Sequence, residues 1–367
     1  MKLYALLLFT IILFASCGQS PTKKEDTKEE IEHQGLYHPE WTKNATIYEV
    51  NVRQHTPEGT FNALISDLVR LDEMGVKILW LMPVHPIGEV NRKGGEGSYY
   101  SVQDYRAINP KFGTMEDFQR LVSEAHDLDM KVIIDWVANH SSFDNVWTVD
   151  HLDWYNLDSL GGLQPPAGTD WWDVADFNYD NPKMRQGMID AMSFWVEEAN
   201  IDGFRCDVAS YVPTDFWNQA ADSLRAINKD IFLLAEAENP ELHAEAFNAG
   251  YAWEWLHIIN GIPTGDKTLD DIDAYMAKTD TALPNGAYKM YFTTNHDENS
   301  WNGTVFDRFG EGHLAYATIT FTIDGMPLVY SGQEAGMDYA LEFFEKDTIE
   351  WGEIEYGDFY TSLMQLN

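Results

Sequence analysis

The stretch that decides the fold runs from residue 131 to residue 236. It reads KVIIDW at 131–136, PKMRQGMIDAMSFWVEEA at 182–199, GFRCD at 203–207, TDFWNQAADSLRAIN at 214–228 and IFLLAE at 231–236. Short β-rich apolar runs alternate here with amphipathic segments of helical period. Such alternation demands parallel strands joined by crossover helices. Each apolar run also closes on a carboxylate: Asp135, Asp207 and Glu236.

The pattern extends in both directions. Candidate strands occur at Thr46–Val52 and Val76–Met82 on one side, and at Tyr251–Leu256, Lys289–Thr293 and Pro327–Tyr330 on the other. Helical segments between them include Phe61–Glu73, Met115–Asp129, Leu269–Lys278 and Glu311–Ile323. Eight strands in a chain of this size predict an α/β fold, a (β/α)8 TIM barrel. A doubly wound open sheet is the alternative on pattern alone. Residues 41–140 would form the first part of the barrel and 182–367 the second. Between them, 141–181 is too long and too rich in Trp and Asp to be a plain connection. It predicts an inserted domain rising over the C-terminal face of the barrel. The helical pattern starting at Asp358 stops at Asn367, so the last helix is expected to be cut short, with exposed apolar barrel surface and poor solubility.

Composition narrows the partners. Lys and Arg total 24 against 60 Asp and Glu, a formal charge of −36. That field repels nucleic acid and anionic lipid but not a neutral ligand. The chain has 13 Trp, 18 Tyr and 19 Phe. Aromatic faces suit the apolar faces of sugar rings, although most such residues serve the core of any protein. The cysteines are Cys17 and Cys206, and no intramolecular disulfide is expected once the N-terminal segment is removed.

That segment, 1–17, has a Lys, an apolar run from Leu3 to Phe14, and Ala15-Ser16-Cys17. It reads as a signal peptide. Phe14-Ala15-Ser16-Cys17 resembles a bacterial lipobox, in which Cys17 becomes the lipidated first residue; an ordinary signal peptide is the alternative. Residues 18–40 begin with a polar, highly charged run suited to a flexible tether. The acidic stretch after Cys17 is similar to the surface-export signal of Bacteroidetes lipoproteins. The expected location is therefore the outer membrane, facing outward, with the periplasmic face as alternative.

Carboxylates at the C-terminal ends of different barrel strands have a specific chemical use. Retaining glycoside hydrolysis needs two carboxyl groups about 5–5.5 Å apart, one nucleophile and one acid that becomes base. A single strand-end Asp is weak evidence, because such residues also cap helices. The neighbours make the pattern informative. Asp135-Trp136-Val137-Ala138-Asn139-His140, Gly203-Phe204-Arg205-Cys206-Asp207, Leu233-Leu234-Ala235-Glu236 and Thr294-Asn295-His296-Asp297 follow one another along the chain. In this order they resemble the four core motifs of the α-amylase clan, glycoside hydrolase family thirteen. Trp80-Leu81-Met82-Pro83, Ala175-Asp176-Phe177-Asn178 and Gly325-Met326-Pro327-Leu328-Val329-Tyr330 add to the resemblance, which covers about residues 40 to 365.

The resemblance implies a retaining α-glucan hydrolase cleaving α-1,4 bonds of starch-like substrates. It assigns Asp207 as nucleophile, Glu236 as acid/base and Asp297 as transition-state stabiliser. Tyr100 would stack under the reacting sugar, His140 and His296 would hydrogen-bond its hydroxyls, and Arg205 would hold Asp207 ionised. Asp135 would be a structural acid near the site. His85 stands open between substrate contact and loop packing. Calcium is the cofactor some relatives bind, at positions matching Asn139, Asp176 and the carbonyl of Tyr211, where the usual residue is His. The partners implied are α-glucan and, at the membrane, other glycan-uptake proteins. Val208 after the nucleophile and Glu238 two residues after the acid depart from common amylase patterns. They keep α-1,6 or dual specificity, or transglycosylation, as alternatives. A non-catalytic glucan-binding lipoprotein and a transport subunit with an amylase-like barrel are rivals of another class. The C-terminal β-sandwich usual in the family is not expected here.

Overall fold

A computed structural model describes residues 36–282, 284 and 286–366. The signal-peptide and lipidation expectations, and most of the tether, lie outside the described residues. Eight strands close a parallel barrel: β1 (Ile47–Val50), β2 (Ile78–Leu81), β3 (Lys131–Trp136), β6 (Gly203–Cys206), β7 (Phe232–Ala235), β8 (Ala249–Tyr251), β9 (Tyr288–Tyr291) and β10 (Met326–Tyr330). β10 pairs back onto β1, with Ile47 opposite Leu328 and Glu49 opposite Tyr330. The remaining two strands, β4 (His140–Ser142) and β5 (Val174–Asp176), form an antiparallel pair in the insertion.

Strand residues alternate between two apolar layers, as a period of two requires. Ile47, Ile78, Trp80, Ile133, Phe232, Leu234, Met290 and Leu328 fill the barrel interior. Tyr48, Val50, Leu79, Leu81, Val132, Ile134, Leu233 and Val329 face the surrounding helices. The inward positions of β1, β3 and β6 also carry Glu49, Asp135 and Arg205, all fully buried. Gly203 opens β6 because the barrel wall leaves no room there: a Cβ would lie 2.0 Å from the Phe232 carbonyl oxygen.

Helices among the described residues include α1 (Phe61–Ile65), α2 (Leu68–Met74), α3 (Met115–Asp127), α4 (Pro182–Ala199), α5 (Thr214–Ile227), α6 (Trp253–Thr264), α7 (Leu269–Ala282), α8 (His313–Thr322) and α9 (Gly357–Met364). α3 starts at a capping box between Thr114 and Asp117, and α4 at Asn181 followed by Pro182. Both give the first-turn N–H groups an acceptor and fix where each helix leaves its loop.

Three expectations change. Tyr251–Leu256 is not a strand: β8 ends at Tyr251 and α6 begins at Trp253, burying Trp255, Leu256, Ile258 and Ile259. The helix expected over Phe61–Glu73 is two helices, interrupted at Ser66–Asp67, where Asp67 pairs with His55 and Arg70. α9 packs on α2 and α8 and buries Tyr360, Leu363 and Met364, so this face of the barrel is covered where exposed apolar surface was expected. Among the described residues no helix is long and apolar enough to cross a membrane.

Candidate active site

Parallel strands deliver their C-terminal ends to one face, and the acidic groups meet there. Asp135 and Arg205 are register partners on β3 and β6. Asp207 follows β6 and Glu236 follows β7. The Arg205 guanidinium joins them. Its Nη1 donates to Asp135 at 2.8 Å and to Asp207 at 3.0 Å. Its Nη2 lies 2.9 Å from Glu236 Oε2 as an ion pair, and its Nε donates to Tyr251 at 3.0 Å. One buried cation thus grips three carboxylates.

The backbone contributes at Val208. This β-branched residue sits in the left-handed region, φ 37° and ψ 48°, where a Cβ is strained. The turn aims its N–H at Glu236 Oε2, 2.7 Å away. With Oε2 taken by Val208 and Arg205, Oε1 is the oxygen free to carry a proton.

The ionisation of the pair follows from its surroundings. Burial pushes the Glu236 carboxyl up, Arg205 pulls it down, and Asp297 adds repulsion. Burial, then repulsion from Glu236, lift Asp207 well above the usual carboxylate range, against Arg205. Two buried carboxyls that each resist ionisation share protons as a unit.

His296 stands on the opposite wall. Its Nδ1 is 2.5 Å from Glu49 Oε1, and its Nε2 is 2.7 Å from the Tyr100 hydroxyl and 3.3 Å from Asp297 Oδ2. Tyr100 also donates to Asp135 at 3.1 Å. The Tyr100 ring lies nearly parallel to both His296 and Phe343, at 24° and 12°.

These groups floor a cavity of about 600 Å³ whose lining includes Tyr100, His140, Asp207, Glu236, His296 and Asp297. Its rim joins four parts of the chain, after β2, in the insertion, after β9 and after β10. Lys93, after β2, pairs with Asp173 of the insertion at 2.8 Å. Its neighbour Glu96 donates its N–H to the Phe344 carbonyl, after β10, at 2.8 Å. Trp172 and Trp301 stand on this rim 53% and 56% exposed; the Lys93 ammonium lies over Trp172, Trp301 packs on Phe343 and Phe344, and the open part of each indole can meet a ligand.

Two sequence-derived candidates sit elsewhere. His85 is fully buried among Tyr105, Trp136 and Trp195, with ring centroids 5.3–5.9 Å apart, and is not part of the cavity lining. Burial holds its pKa down at about 3, so it is a neutral packing residue. Glu238 turns from the cavity to pair with Lys289 and to accept the Glu254 N–H.

The calcium positions fit the ion poorly. Asn139 and Asp176 are neighbours, since the Asn139 carbonyl accepts the Phe177 N–H. Asp176 Oδ2, however, accepts the Asn156 amide at 2.7 Å, and the Asn139 amide is engaged with His140. Tyr211 is 58% exposed, its ring stacked on Trp171. Calcium takes six to eight oxygens, usually from several carboxylates. Among the described residues no group of three His, Cys, Asp or Glu could hold a metal.

Residues 23–172 and 168–356 match the family model of the alpha amylase catalytic domain. The chain belongs to the α-amylase family of glycoside hydrolases. It is 30% identical to the α-amylase MalA of Haloarcula japonica over 81% of this chain and 45% of that protein. It is 29% identical to α-amylase 3 of Dictyoglomus thermophilum over 82% and 66%. The chain thus spans about half to two thirds of these curated relatives. Among solved structures, an α-amylase from Lactobacillus plantarum superposes with a TM-score of 0.83 at 34% identity, over 89% of this chain and 80% of the other. A noncanonic maltogenic α-amylase from Thermotoga neapolitana gives 0.83 at 35%, over 89% and 77%.

Residues with no signal in the sequence line or support this cavity. Glu49 reads as an ordinary polar position in an alternating strand. Tyr251 is hidden at the end of a strand placed too late. Lys93, Trp301, Phe343 and Phe344 come from loops whose approach only the closed barrel reveals.

Proposed function

We propose that this chain is a retaining α-glucan hydrolase acting on α-1,4-glucosidic bonds of starch-like polysaccharides or maltooligosaccharides. The observation that carries the proposal is the pair Asp207 and Glu236 on the two terminal nitrogens of one guanidinium. Such sharing favours the short carboxyl separation that retention requires, about 5–5.5 Å, over the wider gap of inverting enzymes.

In this reading the resting pair shares one proton, and the reactive form carries it on Glu236 Oε1 with Asp207 ionised. Asp207 attacks the anomeric carbon while Glu236 gives its proton to the departing glycosidic oxygen. The glycosyl–Asp207 ester then yields to a water whose proton Glu236 takes back. Charge develops on the sugar between Asp207 and Asp297, while Arg205 offsets the excess of buried negative charge. Tyr100 offers its face to the reacting ring, and His140 and His296 serve its hydroxyls. Burial keeps His140 neutral, with a pKa of about 3.

Relatives named α-amylase at 29–35% identity support the α-1,4 bond. Val208, directly after Asp207, favours a second reading in which α-1,6 bonds are also cut. A relative named oligo-1,6-glucosidase, from Halalkalibacterium halodurans, matches at 25%. Asp207→Asn tests the proposal: turnover of maltoheptaose should vanish while binding persists. Wild-type protein that binds maltoheptaose and isomaltooligosaccharides yet cleaves neither would make the chain a glucan-binding protein instead. For the expected lipid anchor at Cys17, protease added to intact cells should remove the protein if it faces outward. Calcium stays outside the mechanism, given the poor fit of its positions.

A further inference from the structure

The barrel interior holds a carboxylate that the proposed mechanism does not use. Glu49 is fully buried at an inward position of β1, between Tyr330 and Trp80 in register. Its Oε1 lies 2.5 Å from His296 Nδ1, and its Oε2 has no hydrogen-bond partner. A buried carboxylate with one oxygen unsatisfied is costly. A neutral Gln would fit the same volume, so the charge itself needs a reason.

His296 supplies it. Its two nitrogens face acidic or acceptor groups: Glu49 on one side, Asp297 and the Tyr100 hydroxyl on the other. Asp135 and Glu236 feel the ring's charge, and Arg205 opposes it. Trp80 meets the ring edge-on at 6.0 Å and Tyr100 stacks on it at 5.5 Å. Only a doubly protonated ring donates to both sides at once.

We propose that Glu49 is a positioning residue that holds His296 as an imidazolium, so that the ring presents a charged N–H at Nε2 to Asp297 and to a substrate hydroxyl. Without Glu49 the ring would be neutral, and Nε2 could accept from Tyr100 instead of donating. The four carboxylates Asp135, Asp207, Glu236 and Asp297 would then lose the imidazolium and keep Arg205 as the cation in their midst, Lys93 being engaged with Asp173 at the rim. The electrostatics agree with the geometry. Burial works against the charged ring, but Asp297 and Glu49 outweigh it and lift His296 to about 9. Burial also lifts Glu49, with His296 pulling it back, and at neutral pH the proton stays on the ring.

The kinetic consequence rests on the glycosidase reading; the protonation state does not. The experiment has two arms. In the first, the imidazole resonances of His296 are titrated by NMR in wild-type protein and in Glu49→Gln, assigned by their loss in His296→Gln. The expected result is a midpoint near 9 in wild type and a fall of at least one pH unit in Glu49→Gln. A wild-type midpoint at or below the ordinary His value overturns the proposal, even if Glu49→Gln does not fold. In the second arm, kcat and KM of Glu49→Gln and Glu49→Asp are measured against pH on maltoheptaose. Glu49→Gln should lower kcat about tenfold or more with a smaller change in KM. Its basic limb should move to lower pH, and Glu49→Asp should recover part of the loss. An unchanged kcat and pH profile in folded Glu49→Gln refutes the assignment. Wild type without turnover but with the expected titration refutes the glycosidase reading and leaves the Glu49–His296 pair standing.

Discussion

Arg205→Lys keeps the charge and removes the fork. The guanidinium reaches Asp135, Asp207, Glu236 and Tyr251 from three nitrogens at 2.8–3.0 Å. An ammonium is a point donor on a straight stem and cannot hold both Asp207 and Glu236 at their present spacing. Hydrogen bonds to charged groups are worth about 1.5–3 kcal/mol each. Losing one such bond on the reacting pair predicts a fall in kcat/KM of roughly 10- to 100-fold at about 1.4 kcal/mol per decade. The pH profile carries the sharper test. Arg205 pulls the pKa values of Asp207 and Glu236 down against burial. A weaker partner lets Asp207 rise further, so activity is lost at a higher pH on acidification. The assay is kcat/KM on maltoheptaose across the acidic range, with a thermal melt to confirm folding. An acid limb that stays in place or moves to lower pH would refute the role given to Arg205.

Three further outcomes follow from the same geometry. Asp207→Asn should raise the Tm at pH 7. The folded-state pKa of Asp207 lies above its unfolded value, so the wild-type carboxylate costs stability as pH rises past the unfolded value of about 3.9; the gain should disappear below about pH 4, and a lower Tm at pH 7 would contradict it. Val208→Gly should stabilise the fold by about 1 kcal/mol in urea melts by relieving the left-handed backbone. It should also cut turnover, because a looser N–H no longer fixes Glu236 Oε2; an unchanged kcat would count against that contact. Removing divalent cations with a chelator should leave the melting temperature unchanged, since Asn156 already occupies Asp176; a drop of several degrees would show a cation site after all.

The barrel was legible because its strands are short apolar runs with strong helical segments between them. Reading failed where that signal was weak. Ala249-Gly250-Tyr251 has little β character, while the neighbouring run Trp253–Leu256 is apolar enough for strand or helix. The helix won because its four buried residues recur at helical spacing and fill the gap outside β8 and β9. That Asp135, Asp207, Glu236 and Asp297 would meet on one face was legible from their strand-end positions and motif neighbours. Their supports were not. Glu49 lies far from any motif, and its meaning depends on β1 and β9 lying on one ring. His85, at the end of a strand, stayed open in the sequence between substrate contact and loop packing; the rings of Tyr105, Trp136 and Trp195 enclose it. No spacing rule distinguishes those two outcomes.

The central claim is that Asp207 and Glu236 cleave α-glucans with retention. A proton NMR time course of this chain with maltoheptaose tests it most directly. Shorter maltooligosaccharides are expected, their new reducing ends appearing first as the α-anomer and converting slowly to β by mutarotation. First appearance of the β-anomer would contradict retention. Absence of any new anomeric signal, with the protein shown to be folded, would contradict α-1,4 hydrolysis itself.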